Sequence, residues 1–354
     1  MRIAQVAPLH EAVPPKRYGG TERVVHYLTE ELVALGHEVT LFASGDSLTS
    51  ARLVPCCRRA LRLDPSCADR TVYHVLQLDA VMEREDAFDV VHFHTDYLHY
   101  PFARRSPVPV LTTLHGRQDL RDLAPLYRRF GDVGLVSISD HQRRPLPRVN
   151  WLATVAHGLP ADLLRPRAGL RGYLAYLGRF SPEKRFDRAV EIARRAGLPL
   201  KAAAKADAMD GAYFEAVVRP LLDDPLVEWV GEIGEEAKAD FLGGALAHLF
   251  PIDWPEPFGL VMIEAMACGT PTIAWPCGSV PEIIENGVTG YVVSSIEAAA
   301  AAVAACAGFD HAACRAAFER RFTAGRMAAD YVLLYRRLYA GRHPFRPAVG
   351  GLSA

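Results

Sequence analysis

The opening MRIAQVAPLHEAVPPKRYGGTERVVHYLTEELVALGHEVTLFAS, residues 1–44, sets the class of fold. Ile3 to Pro8 is a short run, apolar on both faces, which reads as a buried parallel strand. TERVVHYLTEELVALG, Thr21 to Gly36, places Val24, Val25, Leu28, Leu32 and Leu35 at helical spacing, with Gly36 as the stop. Val39 to Ala43 is a second strand of the same kind. A strand, a loop, a helix and a parallel strand make a β–loop–α–β opening of Rossmann type. Gly19 and Gly20 lie in the connection. They serve either a plain tight turn or a backbone approach to a phosphate or sugar.

The alternation continues outward. Val90 to Phe93, Val110 to Leu114, Gly134 to Ile138 and Ala153 to Ala156 read as further strands. HGLPADLLRPRAGLRG, His157 to Gly172, lacks periodicity and reads as a linker. The pattern then restarts, with strands expected at Tyr173 to Gly178, Leu200 to Ala204, Val227 to Val230, Ala245 to Phe250, Thr272 to Ala274 and Tyr291 to Val293. Helices are expected near Arg185 to Ala196 and Gly211 to Leu222. Ser279 followed by Glu282 is a capping-box pattern. The expected fold class is α/β, two Rossmann-like doubly wound domains facing a cleft. The expected domains are 1–157 and 173–323, joined by a linker at 158–172. Three helices end the chain. The last, about 324–340, is expected to pack back on the first domain, and 342–354 reads as a flexible tail. Strand C-termini of both sheets would then flank the cleft, where such sheets bind ligands.

A chain of 354 residues suits two domains, and its 50% apolar and 23% charged content is ordinary for a globular protein. The formal net charge of −1 gives no reason to expect nucleic acid. Between 101 and 171 the charge is uneven, with 12 Arg against 5 Asp. That segment is either a solvated surface or a patch facing an anionic acceptor or a membrane surface. The seven cysteines show no metal-ligand spacing, and reduced thiols are expected. With no charged leader and no long apolar window, a cytoplasmic location without a transmembrane segment is expected, with at most peripheral contact at the inner membrane face.

The chemistry concentrates in EPFGLVMIEAMACGTP, Glu256 to Pro271. Glu256 and Glu264 bracket a Pro-Phe-Gly turn and the start of an apolar helix. A helix N-terminus presents unpaired N–H groups and partial positive charge, a seat for a diphosphate. Glu264, one to two turns in, can grip adjacent hydroxyls, and Glu256 can grip hydroxyls at the other end of the same ligand. That order suits a nucleotide-sugar. No G-x-G-x-x-G follows the first strand, which argues against a nicotinamide enzyme. His115, and His94 with Asp96, end strands on the cleft side of the first sheet. His157 opens the linker, where hinge packing and substrate contact are equally expected.

These residues resemble the retaining nucleotide-sugar glycosyltransferases of family 4, with GT-B architecture. The likeness covers nearly the whole chain, in four markers: the E-x7-E of Glu256 and Glu264, LGRFSPEKRFD (Leu177 to Asp187), YGGTERVV (Tyr18 to Val25) and GSVPEIIENGVTGYVV (Gly278 to Val293). It implies that Arg179 and Lys184 bind the donor diphosphate and that Glu256 contacts the donor sugar. Backbone of Phe258, Gly259, Leu260 and Val261 would surround sugar and phosphate, and Glu264 would hold the ribose. It further implies His115 close to the reacting sugar and backbone near Glu232 and Ile233 against the base. His94 and Asp96, at another strand end of the same sheet, are candidates for the acceptor side. One departure stands out. The family often has a Gly-x-Gly turn where this chain reads LKAAAKADAMD, leaving Lys205 as a candidate donor contact.

The implied activity is transfer of a hexosyl group, with retention, from a nucleoside-diphosphate sugar (UDP-glucose by default) to an acceptor hydroxyl. No cofactor and no essential metal are expected. The acceptor, a sugar, lipid-linked sugar or small molecule, stays open. The alternatives are a nucleotide-sugar epimerase or sugar phosphorylase on the same scaffold, and a non-catalytic sugar-nucleotide sensor.

Overall fold

Seven parallel strands form the first sheet: β1 Arg2–Val6, β2 Glu38–Ser44, β3 Arg52–Cys57, β4 Val90–Phe93, β5 Val110–Thr113, β6 Leu135–Ser137 and β7 Trp151–Thr154. Their order is β3-β2-β1-β4-β5-β6-β7. The second sheet holds β8 Tyr173–Arg179, β9 Leu200–Lys205, β10 Val227–Gly231, β11 Ala245–Phe250, β12 Thr272–Ala274 and β13 Gly290–Val292, in the order β10-β9-β8-β11-β12-β13. The structure is a computed structural model that describes residues 1–16, 19–167, 169 and 171–342. Tyr18 of the YGGTERVV marker, Ala168 and Leu170 of the linker, and the tail from 343 lie outside the described residues.

Both sheets are doubly wound, and each reverses direction once. The reversal falls between β1 and β4 in the first sheet and between β8 and β11 in the second. Ligands of such sheets bind beyond the strand C-termini at these switch points. The inner strands are buried on both faces: Ile3, Ala4 and Val6 of β1 and Leu200, Ala202 and Ala204 of β9 are almost wholly out of water. That burial explains why their sequences are continuously apolar rather than alternating.

Three features depart from expectation. β3, RLVPCC, carries Pro55, which argues against a strand. It pairs only with β2, at the sheet edge, where proline is tolerated. The helix Arg70–Met82 also escapes the pattern. Val72, Val75 and Leu76 are exposed while the polar His74 and Gln77 are buried, so its apolar stripe is blurred. The helix expected over Gly211 to Leu222 is broken by a π-turn at Phe214–Val218 ahead of Pro220.

The helix Ala324–Arg342 lies against the helix Gly20–Ala34 of the first domain. It brings Tyr331 and Tyr335 under the C-terminal ends of β1, β4 and β5. One apolar core, including Leu28, Leu159, Met262, Phe318 and Tyr331, runs continuously from the first domain into the second. All seven cysteines are free. Among the described residues no helix is long and apolar enough to cross a membrane.

Candidate active site

A cleft of about 830 Å³ separates the C-terminal edges of the two sheets. It is lined by all the residues singled out from sequence: Gly19, Gly20, His94, Asp96, His115, Arg179, Lys184, Lys205, Ile233, Glu256, Phe258, Gly259, Leu260, Val261 and Glu264.

The helix Leu260–Ala267 starts on the cleft floor. Gly259 caps it at φ 82°, ψ 71°, and a side chain there would press a Cβ to 2.7 Å from Met262 Cε. Only glycine takes this left-handed turn without strain. Phe258 to Val261 line the cleft, so the first-turn N–H groups, which have no intrahelical acceptor, are offered to it. Gly20 sits opposite, where an added Cβ would stand 3.6 Å from Leu260 Cδ1, an ordinary contact. Gly19 is required by packing, since a Cβ would fall 2.8 Å from Pro15 Cβ.

Glu264 is buried. Its Oε1 accepts from Lys238 Nζ at 2.6 Å, and its Oε2 has no hydrogen-bond partner. A buried carboxylate oxygen without a donor is costly unless a ligand supplies one. At the other end, Glu256 Oε2 accepts from Lys184 Nζ at 2.5 Å and from Trp254 Nε1 at 3.0 Å. Lys184 Nζ also lies 4.8 Å from the Trp254 ring centre and 5.4 Å from that of Phe250, which hold it by cation–π attraction. Arg179, the last residue of β8, reaches Glu183 at 3.2 Å and Asp210 at 3.9 Å, and its Nε has no partner. Lys205 pairs with Asp207 at 3.1 Å. Thus the cations at this end are braced by neighbouring carboxylates.

The Ser279–Glu282 capping box is not made. Ser279 Oγ donates instead to Phe258 O at 2.7 Å. The Glu282 carboxylate reaches the other domain and accepts from Asp140 N at 2.8 Å and His141 N at 2.7 Å. A second interdomain bond runs from Ser139 Oγ to Pro257 O at 2.7 Å, and an Arg23–Glu235 ion pair adds a third. The carboxylate that would have closed its own helix therefore clasps the two domains. Gly278, at φ 64°, lets this loop lie against Glu256: an added Cβ would stand 2.2 Å from Glu256 O. Gly278→Ala is expected to cost about 2 kcal/mol or more. Thermal unfolding should report a fall in Tm of roughly 4 °C or more. An unchanged Tm would mean that the loop relaxes freely.

Along the cleft wall runs a row of histidines, His115 half-buried and His94 and His157 buried. His94 Nδ1 is 2.9 Å from His115 Nε2, and His94 Nε2 is 2.8 Å from Gln5 Oε1. The His115 ring stacks on that of His157 at 5.2 Å, and His157 in turn meets Phe258 edge-on at 4.8 Å. Burial pulls His115 down to about 3. It depresses His92, His94 and His157 well below the ordinary histidine range, so all four are neutral at pH 7. Asp96 is held in left-handed backbone at φ 53°, and burial raises its carboxyl.

Lys238, Trp254, Gln5 and Tyr335 carry no local sequence signal. Lys238 and Trp254 sit in short polar or proline-flanked segments without motif, and each acquires meaning only from the glutamate it meets. Among the described residues, no group of three or more His, Cys, Asp or Glu side chains is placed to hold a metal ion.

Residues 18–173 match the family described as Glycosyltransferase Family 4, and residues 167–306 match Glycosyl transferases group 1. The D-inositol 3-phosphate glycosyltransferase of Mycobacterium tuberculosis (strain ATCC 25618 / H37Rv) is 30% identical over 218 residues, 54% of this chain and 42% of that protein. The chain therefore spans less than half the length of the curated relatives it matches. Among solved structures, AviGT4, a glycosyltransferase involved in avilamycin A biosynthesis, is 25% identical with a TM-score of 0.73, covering 96% of this chain and 98% of that one. Sucrose-phosphate synthase from Thermosynechococcus elongatus is 21% identical with a TM-score of 0.74, covering 96% of this chain and 100% of that one. Anabaena HepE in complex with UDP and glucose is 16% identical with a TM-score of 0.72, covering 96% of this chain and 100% of that one. The last two likenesses concern the fold.

Proposed function

The chain belongs to the family 4 glycosyltransferases of GT-B architecture, and from that premise we propose that it moves a hexosyl group from a nucleoside-diphosphate sugar to an acceptor hydroxyl, with retained configuration and no essential metal. The observation that carries this reading is the helix start at Gly259 with acid groups fore and aft. Glu264 has one buried oxygen without a donor, and Glu256 is oriented by Lys184 and Trp254. In this reading the ribose hydroxyls donate to Glu264 Oε2. The diphosphate lies over the first-turn N–H groups, and the sugar meets Glu256.

Arg179 and Lys184 serve the leaving group. Negative charge grows on the diphosphate as the glycosidic bond breaks, so cations beside it stabilise the transition state more than the ground state. Retention by a covalent glycosyl-enzyme needs two carboxyls about 5–5.5 Å apart across the sugar. Here Glu256 and Glu264 are instead assigned to opposite ends of the donor. A front-face route fits better, in which the departing diphosphate helps take the proton of the acceptor. UDP-glucose is the default donor, and the complex of HepE with UDP and glucose is in keeping with it.

Two guanidiniums face the acceptor end of the cleft. Arg62, which pairs with Glu11 at 3.0 Å, and Arg70 line it, together with His10 and His74, whose ring centres are 5.1 Å apart. Repulsion from His74, Arg62 and Arg70 adds to burial in pulling His10 down to about 4. Such a wall favours an acceptor bearing an anionic group, in keeping with the phosphorylated inositol named for the mycobacterial relative. In an acceptor panel, phosphorylated sugars and polyols should be glycosylated at least tenfold more efficiently than their unphosphorylated forms. Equal rates would exclude an anion-selective acceptor site.

The direct test of the donor site is Glu264→Ala. A hydrogen bond to a charged group contributes about 1.5–3 kcal/mol, so the Kd for UDP measured by calorimetry should rise roughly 10- to 150-fold. Unaltered UDP affinity would place the nucleotide elsewhere and end this assignment.

A further inference from the structure

The cleft histidine His115 belongs to a longer hydrogen-bonded chain that reaches the C-terminal helix. Gln5 Nε2 donates to Tyr335 Oη at 3.0 Å, and Gln5 Oε1 faces His94 Nε2 at 2.8 Å. Tyr335 Oη is also 2.7 Å from His92 Nδ1, and His92 Nε2 is 2.7 Å from Thr113 Oγ1. Every one of these side chains except His115 is almost wholly out of water, so no solvent proton competes for the bonds.

A neutral imidazole has one N–H and one lone pair, so each bond dictates the next. An amide oxygen only accepts. Gln5 Oε1 therefore requires the proton of His94 on Nε2. His94 Nδ1 is then a lone pair, and the bond at 2.9 Å requires the proton of His115 on Nε2. The Nδ1 of His115 is left as a bare acceptor, and it is buried with no partner. Burial keeps His94 and His115 neutral, so protonation does not blur the sequence of donors and acceptors.

We propose that Gln5, His94 and Tyr335 are positioning residues that lock His115 as its neutral Nε2–H tautomer, so that Nδ1 accepts a hydrogen bond from a hydroxyl of the sugar in the cleft. This rests on the glycosyl-transfer reading for the sugar, but not for the tautomer. The chemical purpose is clear. A neutral acceptor orients a hydroxyl without placing a positive charge beside a sugar ring that itself becomes positive in an oxocarbenium-like transition state. Tyr335 holds the Gln5 side chain in place by accepting from its Nε2 at 3.0 Å. The last helix of the chain is thereby tied to the reacting centre.

The test is long-range nitrogen NMR on the full-length, histidine-labelled protein without ligand, together with donor kinetics. His115 should show a proton on Nε2 and a pyridine-like Nδ1. Gln5→Leu, close to isosteric, should mix the His115 tautomers and raise the donor KM about 5- to 10-fold, and Tyr335→Phe should do so more weakly. A wild-type His115 protonated on Nδ1 overturns the proposal, without needing any variant to fold. A Gln5→Leu protein with mixed tautomers but an unmoved KM overturns it as well. A wild-type protein that holds the tautomer yet binds no UDP-sugar would sink the glycosyl-transfer reading and the hydroxyl contact together, while leaving the tautomer lock standing.

Discussion

Alanine at Arg179 or Lys184 is expected to lower kcat on the order of 100- to 1,000-fold, the loss typical of removing one preorganised group that stabilises transition-state charge. Donor binding should weaken much less. In the unliganded protein Lys184 pairs with Glu256 and Arg179 with Glu183, so an arriving diphosphate exchanges one anionic partner for another. The large gain comes only when the glycosidic bond breaks and the leaving group acquires further charge. The two substitutions should differ in a second respect. Lys184→Ala also releases Glu256 from one of its two anchors, leaving Trp254, so its donor KM should rise as well. Arg179→Ala should act on kcat nearly alone. Steady-state kinetics with saturating acceptor, separating kcat from KM, checks both. Turnover within threefold of wild type for either variant would remove that cation from the proposed mechanism.

The second large effect is instability in mild acid. His92, His94, His99, His115, His157 and His248 are all pulled down by burial, with His99, His115 and His248 at about 3. Their unfolded value is about 6.5. Between these limits the unfolded chain binds protons that the folded chain does not, so stability falls as pH drops below about 6.5. Each such histidine contributes up to about 1.4 kcal/mol per pH unit. Glu11, Glu22, Glu31 and Asp96 act in the opposite sense, since burial raises their carboxyls and folding then takes up protons. The histidines outnumber them and are shifted further. Stability should therefore fall steadily from about pH 6.5 toward pH 4, against a total of only roughly 5–15 kcal/mol. Circular dichroism and thermal scans from pH 7.5 to 4 measure this directly. A protein equally stable at pH 4.5 and pH 7 would show that the row of histidines is hydrated or already charged.

Local sequence was sufficient for the architecture. Short runs apolar on both faces and bounded by turn residues read as buried parallel strands, and the helical periods between them supply crossovers, so two doubly wound sheets follow. The floor of the cleft was legible for the same reason. A glycine turn, an apolar helix and a carboxylate at a helical offset are all signals within sixteen residues, Glu256 to Pro271. Where local pattern failed, a distant partner had overruled it. β3 tolerates Pro55 because it is an edge, and being an edge is a property of the assembled sheet.

The rest was decided by tertiary structure. Glu282 looks like the cap of its own helix and instead bonds to backbone N–H groups 141 and 142 residues away. Lys238 becomes the brace of Glu264 only through folding. Gln5 and Tyr335, 330 residues apart, meet because the final helix returns to the first sheet. Strand and helix periods are written in neighbouring residues, because backbone geometry repeats over two or 3.6 positions. Hydrogen bonds among buried side chains carry no such period, since their partners are chosen by whichever surfaces the fold presses together.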